Sequence, residues 1–244
     1  MTTTTPLTPH LDSFGPVSGA LYQTGRRAPA AATTTADATT ADATVDAKLV
    51  VLLHGWGADG ADLLPLAPAL VAQDSGDTVF VPDAPYVCSA NPFGRQWFEL
   101  TDPGSGLGRN ADACLATASL IAALLDAVSA ETGYRSDQIV LGGFSQGGMV
   151  ALTGGLAYAS PLGGLFCLSG AWLTPDQPRA QASSLPVFLA HGGADPVVPV
   201  AAMTQAETGL RAAGFAPQTL RRDQMAHGID AQTTDRLASF LAAL

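Results

Sequence analysis

Ser145 stands in the run Gly143-Phe144-Ser145-Gln146-Gly147, which fits the pattern G-x-S-x-G. A serine hydroxyl attacks a carbonyl carbon once a base takes its proton, so the chemistry on offer is acyl transfer through the serine oxygen. The pattern alone is weak, because Gly and Ser are common. Its context is specific. Ile139-Val140-Leu141 reads as a buried strand running in, and Gln146–Tyr158 as a helix running out. A turn this tight has no room for a side chain two residues before or after the serine. It leaves the hydroxyl at the carboxyl end of a strand, where open parallel sheets place their sites. The first N–H groups of the following helix then point at the reacting oxygen.

The base is expected to be a histidine oriented by a carboxylate. In a strand–turn–helix site of this kind the partners follow the serine in the order acid, then histidine. The histidines are His10, His54, His191 and His227. That order removes His10 and His54. If His191 were the base, its acid would have to be Asp176, in a Pro-flanked loop with no strand end to hold it. Asp195 lies just past the strand Val187–Ala190, and His227 just past the strand Gln218–Leu220. Asp195 is therefore assigned as the orienting acid and His227 as the base. His191 is read as a turn histidine bonded to nearby backbone, and Asp223, close to His227, as a rival acid.

The tetrahedral intermediate needs two N–H donors for its oxyanion. One is Gln146, directly after the serine. The other comes from His54-Gly55-Trp56-Gly57, which follows the strand Leu49–Leu53, and Trp56 is chosen as the donor. His54 is read as a ring that braces this loop.

With these residues in place the chain resembles the small α/β-hydrolases grouped as carboxylesterases, lysophospholipases and acyl-protein thioesterases. The matching pieces are LLHGWGADGADL (52–63), FVPDAPYVCSANPFGRQWFEL (80–100), LGGFSQGGMVAL (141–152), LSGAWL (168–173), HGGADPVVPV (191–200) and MAHGID (225–230). They run in order from about residue 49 to the C-terminus. The resemblance implies an α/β-hydrolase fold, a Ser145/Asp195/His227 triad and oxyanion donors at Trp56 and Gln146. It implies ester hydrolysis through an acyl-enzyme, with no metal or organic cofactor. GRQWFEL resembles the bacterial carboxylesterase branch, where Trp97 would border the acyl site. Family members often pair through a flat surface, which leaves a homodimer open. Trp56 stands where many relatives carry Leu or Tyr. An apolar groove built from Trp56, Phe93, Trp97 and Leu173 is expected, shallow because no helical lid insertion is visible. Short- to medium-chain esters are the expected substrates, with a lysophospholipid or an acyl-protein thioester as the alternative.

The elements that must position this chemistry alternate. Apolar strands are expected at Leu49–Leu53, Thr78–Val81, Ile139–Leu141, Leu165–Leu168, Val187–Ala190 and Gln218–Leu220. Helices are expected at Asp62–Ala72, Ala111–Thr132, Gln146–Tyr158, Val200–Ala213 and Ala231–Leu244, with a long loop from Asp83 to Gly108. Unbroken apolar strands between helices mean a mostly parallel sheet covered on both faces. Residues 48–244 read as a single catalytic core and residues 1–27 as an N-terminal segment with a short edge strand at Ala20–Thr24. Residues 28–47, nearly all Ala, Thr and Asp, read as a flexible surface loop.

Composition bounds the rest. The chain has 244 residues, 47% of them hydrophobic, enough for one domain with a real core. Its net charge of −10 repels phosphate backbones and anionic lipid, which argues against nucleic acid as a partner. The three cysteines, Cys88, Cys114 and Cys167, have no C-x-x-C spacing and read as buried hydrophobes. No apolar run reaches the ~18 residues of an integral membrane span, and Met1 to Pro9 carries no secretory pattern, so a cytoplasmic location is expected by default.

Overall fold

A computed structural model describes residues 10–14, 17–23, 47–71, 75–100, 107–176 and 180–244. The first nine residues and the Ala/Thr/Asp tract up to residue 46 lie outside these. Among the described residues eight strands form one sheet in the order β1-β2-β4-β3-β7-β8-β9-β10. They are β1 (His10–Phe14), β2 (Val17–Gln23), β3 (Leu49–Leu53), β4 (Thr78–Pro82), β7 (Ile139–Phe144), β8 (Gly164–Leu168), β9 (Val187–Gly192) and β10 (Gln218–Arg222). β1 and β2 pair antiparallel, as do β2 and β4, and every other pair is parallel. A short antiparallel hairpin, β5 (Tyr86–Val87) with β6 (Arg95–Gln96), rises from the loop after β4.

Successive residues of a strand point to opposite faces, and the core divides accordingly. Leu49, Val51, Leu53, Leu141, Leu165 and Leu189 pack on one face with Ile121, Leu124 and Val128 of α4 (Ala118–Thr132), Val150 and Ala151 of α5 (Gln146–Ala157), and Leu210 of α6 (Ala201–Ala212). Val50, Leu52, Val79, Val140, Phe166 and Phe188 pack on the other. There they meet Leu63 of α1 (Gly60–Leu63), Leu70 of α2 (Ala67–Leu70), and Leu237 and Phe240 of α7 (Ala231–Ala242). This is the sheet with both faces covered that the apolar strands require.

Local chemistry moves several expected boundaries. The strand expected at Ala20–Thr24 runs instead from Val17 to Gln23 and is not at the edge, because β1 pairs outside it. His10-Leu11-Asp12-Ser13-Phe14 has no apolar run to announce a strand; its pairing with β2 makes it one. The helix expected over Asp62–Ala72 starts at Gly60, where the Asp59 carboxylate caps Ala61 N–H at 2.9 Å. Pro65 and Pro68 then divide it into α1, a 3₁₀ turn (Leu64–Leu66) and α2. The helix expected over Ala111–Thr132 breaks at Thr117 into α3 (Ala111–Ala116) and α4, and the segment Leu107–Ala116 meets α4 at a bend of 46°. The Thr117 hydroxyl donates to Cys114 O at 2.6 Å, which competes with regular helical bonding. Among the described residues no single helix is long and apolar enough to cross a membrane.

Candidate active site

The strand ends β3, β7, β9 and β10 gather the residues singled out in the sequence. Ser145 follows β7 with φ 53° and ψ −117°, a conformation that non-glycine residues rarely adopt. Its N–H donates to Leu168 O of β8 at 2.8 Å, and its carbonyl accepts the first helical bond of α5 from Met149 N–H at 3.1 Å. The flanking glycines are steric necessities. A Cβ on Gly147 would lie 2.2 Å from Leu53 O, and one on Gly143 would lie 2.5 Å from Gly147 C. The turn is held open by backbone packing on every side.

Asp195 and His227 arrive from neighbouring loops that are sewn together. Gly193 N–H donates to Arg222 O at 2.8 Å and Ala194 N–H to Met225 O at 3.1 Å. His227 Nδ1 lies 2.8 Å from Asp195 Oδ2, and His227 Nε2 lies 3.0 Å from Ser145 Oγ. A carboxylate can only accept, so Nδ1 carries the proton and Nε2 is left to accept from the serine hydroxyl. The Asp195 side chain has no exposed surface, whereas His227 keeps 18% of its own. Val197 and Val198 N–H donate to Asp195 Oδ1 at 2.8 and 2.9 Å, so the buried carboxylate is hydrogen-bonded on both oxygens. Phe144 packs its ring 4.8 Å from that of His227.

His191 and His54 hold backbone. His191 is buried and donates from Nε2 to Val198 O at 2.8 Å, with Asp195 Oδ2 a further 3.4 Å from the same nitrogen. It is the turn histidine expected, and it also faces the acid. His54 is fully buried; Nδ1 donates to Gly55 O at 2.7 Å and Nε2 accepts Ala84 N–H at 3.0 Å, so it braces its loop. Burial holds both rings below the ordinary histidine pKa of 6.5. Asp223 is exposed and pairs with Arg221 at 2.8 Å, while Asp195 is the acid that meets His227 Nδ1.

The loop after β3 comes close to the serine: a Cβ on Gly55 would lie 3.4 Å from Ser145 Cβ. Gln146 is buried at the first position of α5, where backbone N–H groups have no intrahelical acceptor. The Trp56 indole N–H donates to Gln96 Oε1 at 2.9 Å. Among the described residues no group of three or more His, Cys, Asp or Glu side chains is arranged to hold a metal ion.

Comparison with known proteins decides the family. The phospholipase/carboxylesterase family model matches residues 35–244. The chain belongs to that family of α/β-hydrolases. It is 29% identical over 217 residues to acyl-protein thioesterase 1 of Emericella nidulans, covering 79% of this chain and 88% of that protein. It is 31% identical to acyl-protein thioesterase 1 of Yarrowia lipolytica over 159 residues, 61% of this chain and 70% of that protein. The crystal structure of esterase PE8 superposes with a TM-score of 0.75 at 34% identity, covering 80% of this chain and 92% of that one. SOBER1 of Arabidopsis thaliana gives a TM-score of 0.71 at 25% identity, with 81% and 98% covered.

The four residues expected to build one groove do not share one setting. Trp97 has no exposed surface: its indole N–H donates to His54 O at 2.9 Å and its ring lies 5.5 Å from that of His54. It serves as a brace behind the loop that carries Trp56. Phe93, by contrast, is 92% exposed, between β5 and β6. Leu173 is half-buried against the core on the α5 face. An apolar depression of about 410 Å³ is lined by Tyr86, Phe98, Ala113, Ala116 and Leu120 among others, and of the four only Trp97 touches it. The sequence reading missed Gln96, Ser89, Asn91 and Glu99. GRQWFEL pointed to their region through resemblance, but nothing in spacing ties Gln96 to Trp56.

Proposed function

We propose that this hydrolase cleaves carboxylic esters through an acyl-enzyme on Ser145. The observation that carries the reading is the continuous line from Asp195 Oδ2 to His227 Nδ1 at 2.8 Å and from His227 Nε2 to Ser145 Oγ at 3.0 Å. His227 removes the serine proton as Oγ attacks the carbonyl carbon. Asp195, buried and hydrogen-bonded, keeps the imidazole in the required tautomer and stabilises the imidazolium that forms. Trp56 and Gln146 N–H receive the oxyanion. His227 then gives its proton to the leaving alcohol, and water repeats the sequence to release the acid. Short- to medium-chain esters are the proposed substrates.

A thioester is the second reading. It is favoured by relatives 28–31% identical that are named acyl-protein thioesterase 1. The same groups would expel a thiolate, which needs less help from His227 as an acid. A panel of p-nitrophenyl esters from C2 to C16, with a palmitoyl thioester and a lysophospholipid alongside, separates the readings. A kcat/KM maximum at short acyl chains supports the ester. A steady rise to C16 with preference for the thioester rejects it. Ser145→Ala is expected to keep the fold and abolish labelling by a fluorophosphonate probe. Activity within tenfold of wild type would overturn the nucleophile assignment.

A further inference from the structure

Both proposed oxyanion donors are tied to one segment, residues 89–99, by bonds that no turn geometry supplies. Gln146 reaches back with its side chain: Oε1 accepts Trp97 N–H at 2.9 Å, and Nε2 donates to Phe98 O at 2.9 Å. The Trp56 loop is fastened to the hairpin. Gly57 N–H donates to Arg95 O at 2.9 Å, Arg95 N–H to Ala58 O at 2.7 Å, and Asn91 Nδ2 to Gly57 O at 2.9 Å. Gly94 permits the contact, since a Cβ there would lie 2.0 Å from Gly57 O.

Gln96 is the node between the two sides. It is 4% exposed, yet its amide is satisfied by side chains. Oε1 accepts the Trp56 indole N–H at 2.9 Å, and Nε2 donates to Glu99 Oε2 at 2.5 Å. Ser89 Oγ closes the chain by donating to Glu99 Oε1 at 2.6 Å. These contacts fix which end of the amide is oxygen: a carboxylate takes the NH₂ and the indole takes the carbonyl. The hydrogen bonds from Ser89 and Gln96 hold Glu99 below its ordinary pKa, so it is charged at neutral pH.

We propose that Gln96 is a positioning residue for the oxyanion site, setting the Trp56 N–H through the relay Ser89–Glu99–Gln96–Trp56. The proposal rests on the serine-hydrolase reading above. The nearly buried amide holds the indole of the residue whose backbone N–H is the proposed oxyanion donor. Loss of the amide leaves that N–H displaced while Ser145, His227 and Asp195 stay in place. Because the donor matters most once the oxyanion forms, the loss falls on kcat and not on KM.

The test uses the full chain, with active sites counted by fluorophosphonate titration. Gln96→Leu is expected to lower kcat per titrated site about 10- to 100-fold with KM within about twofold. The inhibition constant of a trifluoromethyl ketone, which forms an oxyanion on the serine, should rise by the same factor. Gln96→Glu, which sets two carboxylates against each other, should lose a similar amount. The exchange Gln96→Glu with Glu99→Gln restores every donor–acceptor match and should recover activity to within about threefold of wild type. A merely structural role would lower the number of titrated sites and leave their kcat and ketone affinity unchanged. That result, or failure of the exchange to recover what Gln96→Glu loses, overturns the proposal. If wild type itself is not labelled at Ser145, the serine-hydrolase reading fails first, which keeps the two failures distinct.

Discussion

The Ser145 side and the Trp56 side of this candidate site are built by different means. Around Ser145 the backbone does the work. Strand β7 enters, helix α5 leaves, and Gly143 and Gly147 pass within contact of Leu53 O and of each other. Such a turn is fixed by sterics, between its own glycines and against the backbone at the end of β3. On the Trp56 side the loop at 54–58 is held by hydrogen bonds to residues some forty positions later: Trp56 to Gln96, His54 O to Trp97, Gly57 to Arg95. The first region is rigid because nothing else fits. The second is held because the polar groups of the buried Gln96, Trp97 and His54 must find partners.

Mutations can break or sharpen that contrast. Ser145→Ala has the largest expected effect on turnover, a fall in kcat by about 10⁴-fold or more with the fold retained, read on a p-nitrophenyl ester. Asp195→Asn comes next, with an expected loss on the order of 10⁴, because the amide NH₂ group would favour the wrong tautomer of His227. Gly147→Ala tests the steric side. Its Cβ would meet Leu53 O at 2.2 Å and His54 O at 2.5 Å, both backbone atoms that cannot swing aside. Loss of stability by about 1–3 kcal/mol is expected in denaturant unfolding. A Gly147→Ala variant as stable as wild type would show the turn to be looser than its packing implies. Gly94→Ala tests the polar side and should reduce activity per titrated site more than stability, since it pushes the hairpin off Gly57.

The smallest effect concerns pH. His54 and His191 sit below 6.5 in the folded chain because burial disfavours their charged forms. In the unfolded chain each binds a proton near 6.5, so below that pH the unfolded state holds more protons than the folded one. Stability is therefore present in full above about pH 6.5 and is lost as pH falls from there through the folded values. Thermal midpoints measured from pH 7.5 to 5.5 should decline, and less steeply in His54→Gln. An unchanged slope in that variant would remove His54 from the account.

Residue order alone was enough to select Ser145, Asp195 and His227 as candidates, and the structure brings those three side chains within hydrogen-bonding distance. It was enough because a parallel sheet delivers every strand's carboxyl end to one edge, and the order of elements after the serine leaves few partners. Alternating apolar strands and helices likewise carried the layered core. The break at Thr117 and the strand β1 were not legible, since one depends on a hydroxyl finding a carbonyl and the other on a pairing partner. Trp97 shows the same limit. That its indole donates to His54 O, behind the loop that carries Trp56, has no signal in the order of residues. Tertiary structure alone decided how the Trp56 loop is held. The hydrogen bond from Trp56 to Gln96, forty positions later, follows no period, and it exists only where the folded sheet has already carried a distant hairpin to the strand end.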